Sequence, residues 1–350
     1  MIKNISSILL ISLILALLID FFLGEHLLKF TPKKINQTVS HNVYDHDLKK
    51  NFKANLEWEP GKSYEHCTDK NSFRNFCNKM NSNLKEFDIA FIGDSFTEGI
   101  GLNYTDTFVG KISNHLNNLN IANLGVVSYS PSIYYSKLKY LLEKNYKFKR
   151  VVIYFDISDV YDDNRKYHLI DGKVFRKKSL LLSRIQKFLK TSFPFLAYST
   201  KTIKNDYLTK FFDNQNAINI CNYLDYCHEK SSWTFNNKYF QDLEIQKSLF
   251  IMENIYELLL EKNIKMSVGI YPWPAQILYD SKNSKIVTLF EEFCINKCEY
   301  FFNTFPDFFK DHDLKDKNLI ISENYIKNDV HFNILGNKKI YENFILNFKN

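Results

Sequence analysis

Apolar and polar positions divide the chain into stretches of different rhythm. From Ile5 to Ile19 there is no charge, and almost every residue is Leu, Ile, Ala or Ser; Asp20 interrupts, and Phe21-Phe22-Leu23 continues the apolar run. About 19 such residues just span a bilayer as one helix. Residues 25–85 are polar and poorly periodic, with Pro32 and Pro60, and read as a stalk followed by an ordered lead-in. From Phe87 onward, strand-length apolar runs alternate with helical patterns.

Phe87–Gly93 is a short apolar run closed by Gly, a strand signal. A helical stretch covers Asp106–Asn117, and Asn120–Leu124 reads as a second strand. Ser130-Pro131 opens the next helix, because Ser caps well and Pro is favoured at the first helical position. Ile133, Leu138, Leu141 and Leu142 form its apolar face. Arg150–Phe155 is continuously apolar after its first residue, as a strand covered on both sides must be. Residues 160–240 break the alternation with a turn at Asp171-Gly172 and a basic helical stretch near Leu180–Lys190, so they read as an insertion. Helix, strand, helix, strand and helix then follow at Leu243–Lys262, Lys265–Ile270, Ile286–Asn296, Glu299–Phe302 and Leu335–Asn347. This order predicts a doubly wound, flavodoxin-like parallel sheet in a three-layer α/β/α sandwich. The expected organisation is an anchor over 1–24, a stalk and lead-in over 25–85, and one domain over 86–350 with its insertion after the third strand. Active sites of such sheets lie at the carboxyl ends of the strands.

Charge and cysteine change the picture in one respect, the compartment. Net charge is +7, without a block of five or six basic residues, so a solvated Lys-rich surface is expected and a nucleic-acid partner is not. Lys3 precedes the apolar run, as the positive-inside rule expects for a cytoplasmic start. A cleaved signal peptide is the rival reading. No small-x-small site follows Leu17 and no lipid-attachment Cys ends the segment, so it reads as an uncleaved single-pass anchor with the domain periplasmic or extracellular. Six cysteines fall in three close pairs, Cys67/Cys77, Cys221/Cys227 and Cys294/Cys298, which suits disulfides in an exported chain. No His stands beside a pair at zinc-ligand spacing, so no metal is expected. Cys294 and Cys298 would be strained as a bridge on a regular helix, leaving free thiols as the alternative there.

The candidate chemistry sits on the expected rim. Gly93-Asp94-Ser95-Phe96-Thr97-Glu98-Gly99 follows the first strand directly. A Ser on a tight strand-to-helix turn is exposed beside free backbone N–H groups, but its hydroxyl needs a base. Asp329-Val330-His331, just before the last helix, offers one. With Asn123-Leu124-Gly125 after the second strand, these blocks resemble the SGNH/GDSL hydrolase superfamily in order and spacing over residues 87–348, about three quarters of the chain. The resemblance implies Ser95 as nucleophile, His331 as base, Asp329 as its orienting acid, and the N–H groups of Ser95 and Gly125 as an oxyanion hole. It implies no cofactor. The family's third block normally reads Gly-x-Asn-Asp, whereas this chain has Asp156-Ile157-Ser158-Asp159. Ser158 thus stands where an oxyanion-binding Asn is expected.

Asp156, Asp159, Asp162 and Asp163 read as solvated strand-end acids that position substrate or cap the next element, with Asp159 the substrate-binding candidate. Trp273, in Tyr271-Pro272-Trp273-Pro274 after the fourth strand, either stacks on a sugar ring or packs its loop. The resemblance then implies ester hydrolysis or O-acyl transfer, acetyl above all, on an extracytoplasmic glycan through an acyl-Ser95 intermediate. Its expected partners are an acylated substrate, the membrane and, for transfer, a membrane acyl donor. A lipid or small-ester esterase and a non-catalytic glycan-binding or assembly protein are the alternatives.

Overall fold

The computed structural model describes residues 2–29, 35–59, 61–177, 188–200, 229–236, 242–312 and 314–349. Cys221, Cys227 and most of the basic stretch 180–190 lie outside the described residues. The chain falls into two compact units, Gln37–Lys177 with Ile218–Asn350, and Met1–Asn36 with Lys178–Ala217.

The larger unit is built on five parallel strands. In chain order these are β5 (Glu86–Ile92), β6 (Ile121–Asn123), β7 (Lys147–Phe155), β10 (Lys265–Ile270) and β11 (Phe301–Asn303). They lie side by side as β6-β5-β7-β10-β11, the flavodoxin-like order 2-1-3-4-5. Val151–Phe155 are all buried, which is why the third strand reads as an unbroken apolar run. Helix Phe108–His115 packs with Ile334–Asn347, and Pro131–Glu143 packs with Asp242–Glu261, completing the three layers. The expected fold class is the observed one, and the strand and helix positions agree to within a few residues.

The lead-in differs from expectation. From Gln37 to the first strand of the sheet the chain belongs to the same unit as the sheet. β1 (Thr38–His41) and β2 (Asp45–Leu48) form one antiparallel hairpin, and β3 (Lys53–Glu59) and β4 (Lys62–Cys67) form another. Lys137, fully buried on helix Pro131–Glu143, donates to Asp47 Oδ1 at 2.9 Å and so fixes the first hairpin to the core. His46 Nε2 sits 2.8 Å from the Val127 carbonyl in the loop after β6. A disulfide joins Cys67 to Cys77. The strands are short and their few buried positions follow no regular alternation, so no periodic signal marks them.

The predicted turn at Asp171-Gly172 joins β8 (Tyr167–Ile170) to β9 (Lys173–Arg176). Both turn residues have positive φ, 50° and 76°, as a two-residue hairpin of type I′ requires. Helix Asp159–Arg165 and this hairpin belong to the sheet's unit, so the separate part of the insertion begins only at Lys178. Cys294 and Cys298 are bonded. The helix ends at Cys294 and Ile295 is non-helical, so the pair spans a helix end instead of a regular turn.

The smaller unit contains helix Ile2–Leu28, of which Leu10–Leu28 is long and apolar enough to cross a membrane. Residues 188–192 and 194–200 are also helical.

Candidate active site

The turn after β5 delivers Ser95. Gly93 is obligatory in it, because an added Cβ would lie 2.2 Å from Thr97 Oγ1 and 2.9 Å from the Tyr154 carbonyl. Asp94 then caps the short helix Ser95–Glu98, accepting the Phe96 N–H at 2.9 Å. Ser95 Oγ lies 2.8 Å from His331 Nε2 and 3.2 Å from Asp94 Oδ2. The shorter contact is the one that would draw its single proton.

His331 and Asp329 come from the loop between helices Lys317–Asn324 and Ile334–Asn347. Asp329 Oδ1 meets His331 Nδ1 at 2.5 Å and also accepts the His331 backbone N–H at 2.9 Å. A proton on Nδ1 toward the acid leaves Nε2 as an acceptor for the Ser95 hydroxyl, the arrangement a general base needs. The structure thus brings Ser95, His331 and Asp329 together in hydrogen-bonding order.

Two aromatic rings hold the imidazole. Phe96 lies on one side with ring centres 4.8 Å apart, and Trp58 meets it edge-on at 5.2 Å. Trp58 Nε1 also donates to Asp329 Oδ2 at 2.6 Å. Trp58 belongs to β3, and at 38% exposure it is the aromatic open to solvent beside the triad. Sequence reading passed over it because it falls in the polar lead-in. Its rarity, one of three Trp in the chain, was the available signal.

Burial alone would lower the His331 pKa. The Asp329 charge and hydrogen bond, with Asp94 and Asp156 beyond, outweigh burial and raise it above the usual imidazole value. Burial would raise Asp329, but the His331 charge, its hydrogen bonds and the Trp58 N–H hold it below the usual carboxylate range.

The remaining predicted residues are placed only partly as expected. Asp156, Asp159, Asp162 and Asp163 are buried, not solvated. Asp159 accepts from the Tyr134 hydroxyl and the Asp156 N–H, so it supports the core instead of contacting substrate. Asp163 accepts from Ser130 Oγ and Ser132 N–H, holding the start of helix Pro131–Glu143. Trp273 is 3% exposed and donates to Asp156 Oδ2 at 2.7 Å, so it packs its loop and has no free face for a sugar. Asp159 and Trp273 are both bonded to Asp156, whereas Asp162 pairs with Lys166. Burial, and then the neighbouring Asp156 charge, push Asp94 up; burial also pushes Asp156 up.

Two of the three expected oxyanion donors, Gly125 and Ser158, are engaged. The Gly125 N–H donates to Asn123 Oδ1 at 3.0 Å, and Asn123 Nδ2 donates to the Thr97 carbonyl at 2.8 Å. Ser158 Oγ donates to Asp156 Oδ1 at 2.6 Å, and Ser158 N–H reaches the same oxygen at 2.8 Å. Ser95 N–H has no hydrogen-bond partner among the described residues. One candidate metal grouping occurs among the described residues, Glu65 with Cys67 and Cys77, but both sulfurs are joined in the disulfide.

The chain is similar to solved lipolytic proteins of the G-D-S-L family. One, from Veillonella parvula, is 10% identical with a TM-score of 0.41, covering 74% of this chain and 96% of its own. A putative lipolytic protein of that family from Desulfitobacterium hafniense is 12% identical with a TM-score of 0.37, covering 74% and 97%. No family model and no curated protein matches the chain.

Proposed function

We propose that this chain is an SGNH-type serine esterase or O-acyltransferase that works through an acyl-Ser95 intermediate outside the cytoplasm. The observation that carries the reading is the continuous relay from Ser95 Oγ to His331 Nε2 and from His331 Nδ1 to Asp329 Oδ1. His331 takes the Ser95 proton as Oγ attacks the ester carbonyl, and Asp329 stabilises the imidazolium. His331 then returns the proton to the leaving alcohol. Water completes hydrolysis; a glycan hydroxyl in its place completes transfer. The apolar N-terminal helix and the two bonded cysteine pairs support an anchored, extracytoplasmic enzyme acting on an envelope ester, an O-acetylated glycan first. Trp58, not Trp273, is then the ring available to a sugar. Turnover of an acetylated glycan and an aryl acetate by the full chain tests the reading.

The oxyanion hole needs one proton placed with care. When Asp156 is protonated, its carboxyl donates to Ser158 Oγ and frees the Ser158 hydroxyl proton for an oxyanion, alongside the Ser95 N–H. Two pH limbs follow. Activity rises as His331 loses its proton, so the acid limb of kcat/KM should lie above the ordinary imidazole value of about 6.5. Activity falls again when the Asp94/Asp156 pair gives up its last proton. Asp156→Asn, which keeps an N–H donor beside Ser158, should remove the alkaline limb and keep an acid limb, moved somewhat lower because the Asp156 charge no longer raises His331. An alkaline limb unchanged in Asp156→Asn would exclude this role for the acid.

Trp58→Phe keeps the ring and removes one hydrogen bond to the Asp329 carboxylate. Such bonds contribute about 1.5–3 kcal/mol when fully felt. The expected loss in kcat is roughly ten- to a hundred-fold. Equal kcat in the variant would make Trp58 a bystander.

The engaged Gly125 and Ser158 favour one second reading, a glycan-binding protein that kept the fold. It predicts binding of an acetylated glycan without turnover of any ester.

A further inference from the structure

An acid in an apolar, lipid-length helix is costly unless its oxygens are satisfied. Asp20 is that acid, and it is only 5% exposed. Its two carboxylate oxygens accept the backbone N–H groups of Phe195 and Leu196, at 2.9 and 2.7 Å. These are donors at the start of the helical residues 194–200, where Pro194 leads. A carboxylate there also meets the positive end of the peptide dipoles. Gly24, one turn on, completes the fit: an added Cβ would lie 2.1 Å from Asp20 Oδ1 and 3.0 Å from Pro194 Cγ. Phe21 and Phe193 approach with ring centres 6.4 Å apart. Leu17, Asp20, Gly24, Leu27 and Leu28 form the covered stripe of a helix otherwise exposed through its described apolar side chains.

Among the described residues of the element seated on that stripe, 188–200, none is buried. Phe188, Leu189 and Leu196 are exposed. In sequence, residues 178–205 carry six basic and no acidic residues. An aromatic, apolar and basic segment is suited to the headgroup boundary of an anionic bilayer.

We propose that residues 188–200 are a second membrane element, lying in the interface of the same bilayer as the helix Ile2–Leu28 and clamped to it by Asp20. The occupant of the exposed apolar face is phospholipid with anionic headgroups. Packing continuity supports this choice: the segment contacts the anchor toward its carboxyl-terminal end, so lipid around the anchor reaches the segment too. The inference rests on reading Ile2–Leu28 as a membrane anchor.

The test uses full-length protein in nanodiscs of phosphatidylcholine and phosphatidylglycerol. Single spin labels are placed by Leu13→Cys in the anchor, Leu189→Cys and Leu196→Cys in the proposed element, and Lys338→Cys as a reference in the larger unit. Accessibility to oxygen and to a nickel chelate is compared. Labels at 13, 189 and 196 should show an oxygen-to-nickel ratio several-fold above that at 338. A lipid-like value at 13 with water-like values at 189 and 196 overturns the interface element and leaves the anchor standing. A water-like value at 13 removes the anchor reading and the inference with it. Asp20→Leu should lower the ratio at 196 and mobilise that label, whereas Asp20→Asn, whose amide oxygen still accepts an N–H, should retain most of it. An unchanged label at 196 in Asp20→Leu would overturn the clamp.

Discussion

Ser95→Ala, His331→Ala and Asp329→Asn should each reduce ester turnover by a factor on the order of 10⁴ or more, and the losses should not multiply when combined. The three side chains act as one unit. Without His331 the Ser95 hydroxyl keeps its proton, and without Ser95 the imidazole has no proton to take. Asp329→Asn retains the shape but can turn its amide N–H₂ toward His331 Nδ1, favouring the tautomer with the proton on Nε2, where it cannot accept from Ser95. In that orientation the amide oxygen faces Trp58 Nε1 and still accepts from it, so Trp58 favours the wrong arrangement. The measurement is kcat/KM on an aryl acetate for the three single variants and the Ser95→Ala/His331→Ala pair. A pair whose loss equals the product of the singles would mean that the two residues act independently, contrary to the relay seen in the structure.

Lys137→Met should destabilise the larger unit by about 3–5 kcal/mol, the usual cost of removing one member of a buried ion pair. Lys137 is fully buried, with Asp47 Oδ1 at 2.9 Å, the Leu124 carbonyl at 3.2 Å and the Tyr129 hydroxyl at 3.3 Å from its Nζ. Met keeps the volume and leaves Asp47 charged and buried, still bonded by Tyr44 and the Leu48 N–H. Thermal unfolding of the detergent-solubilised full chain should show the loss. Adding Asp47→Asn to Lys137→Met should recover a part of it, because the neutral amide still accepts from Tyr44. A midpoint unchanged in Lys137→Met would contradict the pair's role in fixing the first hairpin.

Lys137 also shows where the sequence was informative and where it was not. It lies four residues after Ile133 and four before Leu141, on the apolar face of its helix, so its burial could have been read from the period. Its partner could not, because Asp47 lies in a hairpin of four-residue strands with no alternation to mark them. The central sheet was legible because a strand buried on both faces is apolar throughout, as in Val151–Phe155. The triad was legible because each member sits at a fixed place on that sheet: after the first strand and before the last helix. Trp58 was not, since its partner Asp329 is far along the chain and only tertiary structure joins them. Asp159 looks exposed in sequence because a polar residue after a strand usually is, and only tertiary structure shows it accepting from Tyr134 and the Asp156 N–H. Of the two readings open to Trp273, its burial and its hydrogen bond to Asp156 select loop packing.

The most direct test of the central claim is covalent labelling of Ser95 by a fluorophosphonate, located by peptide mass spectrometry on the full chain. The relay predicts a single stoichiometric adduct on the peptide containing Ser95, absent in Ser95→Ala and much slower to form in His331→Ala. An intact wild-type Ser95 after prolonged exposure, or an adduct that forms as fast in His331→Ala, would contradict the assignment of Ser95 as an activated nucleophile.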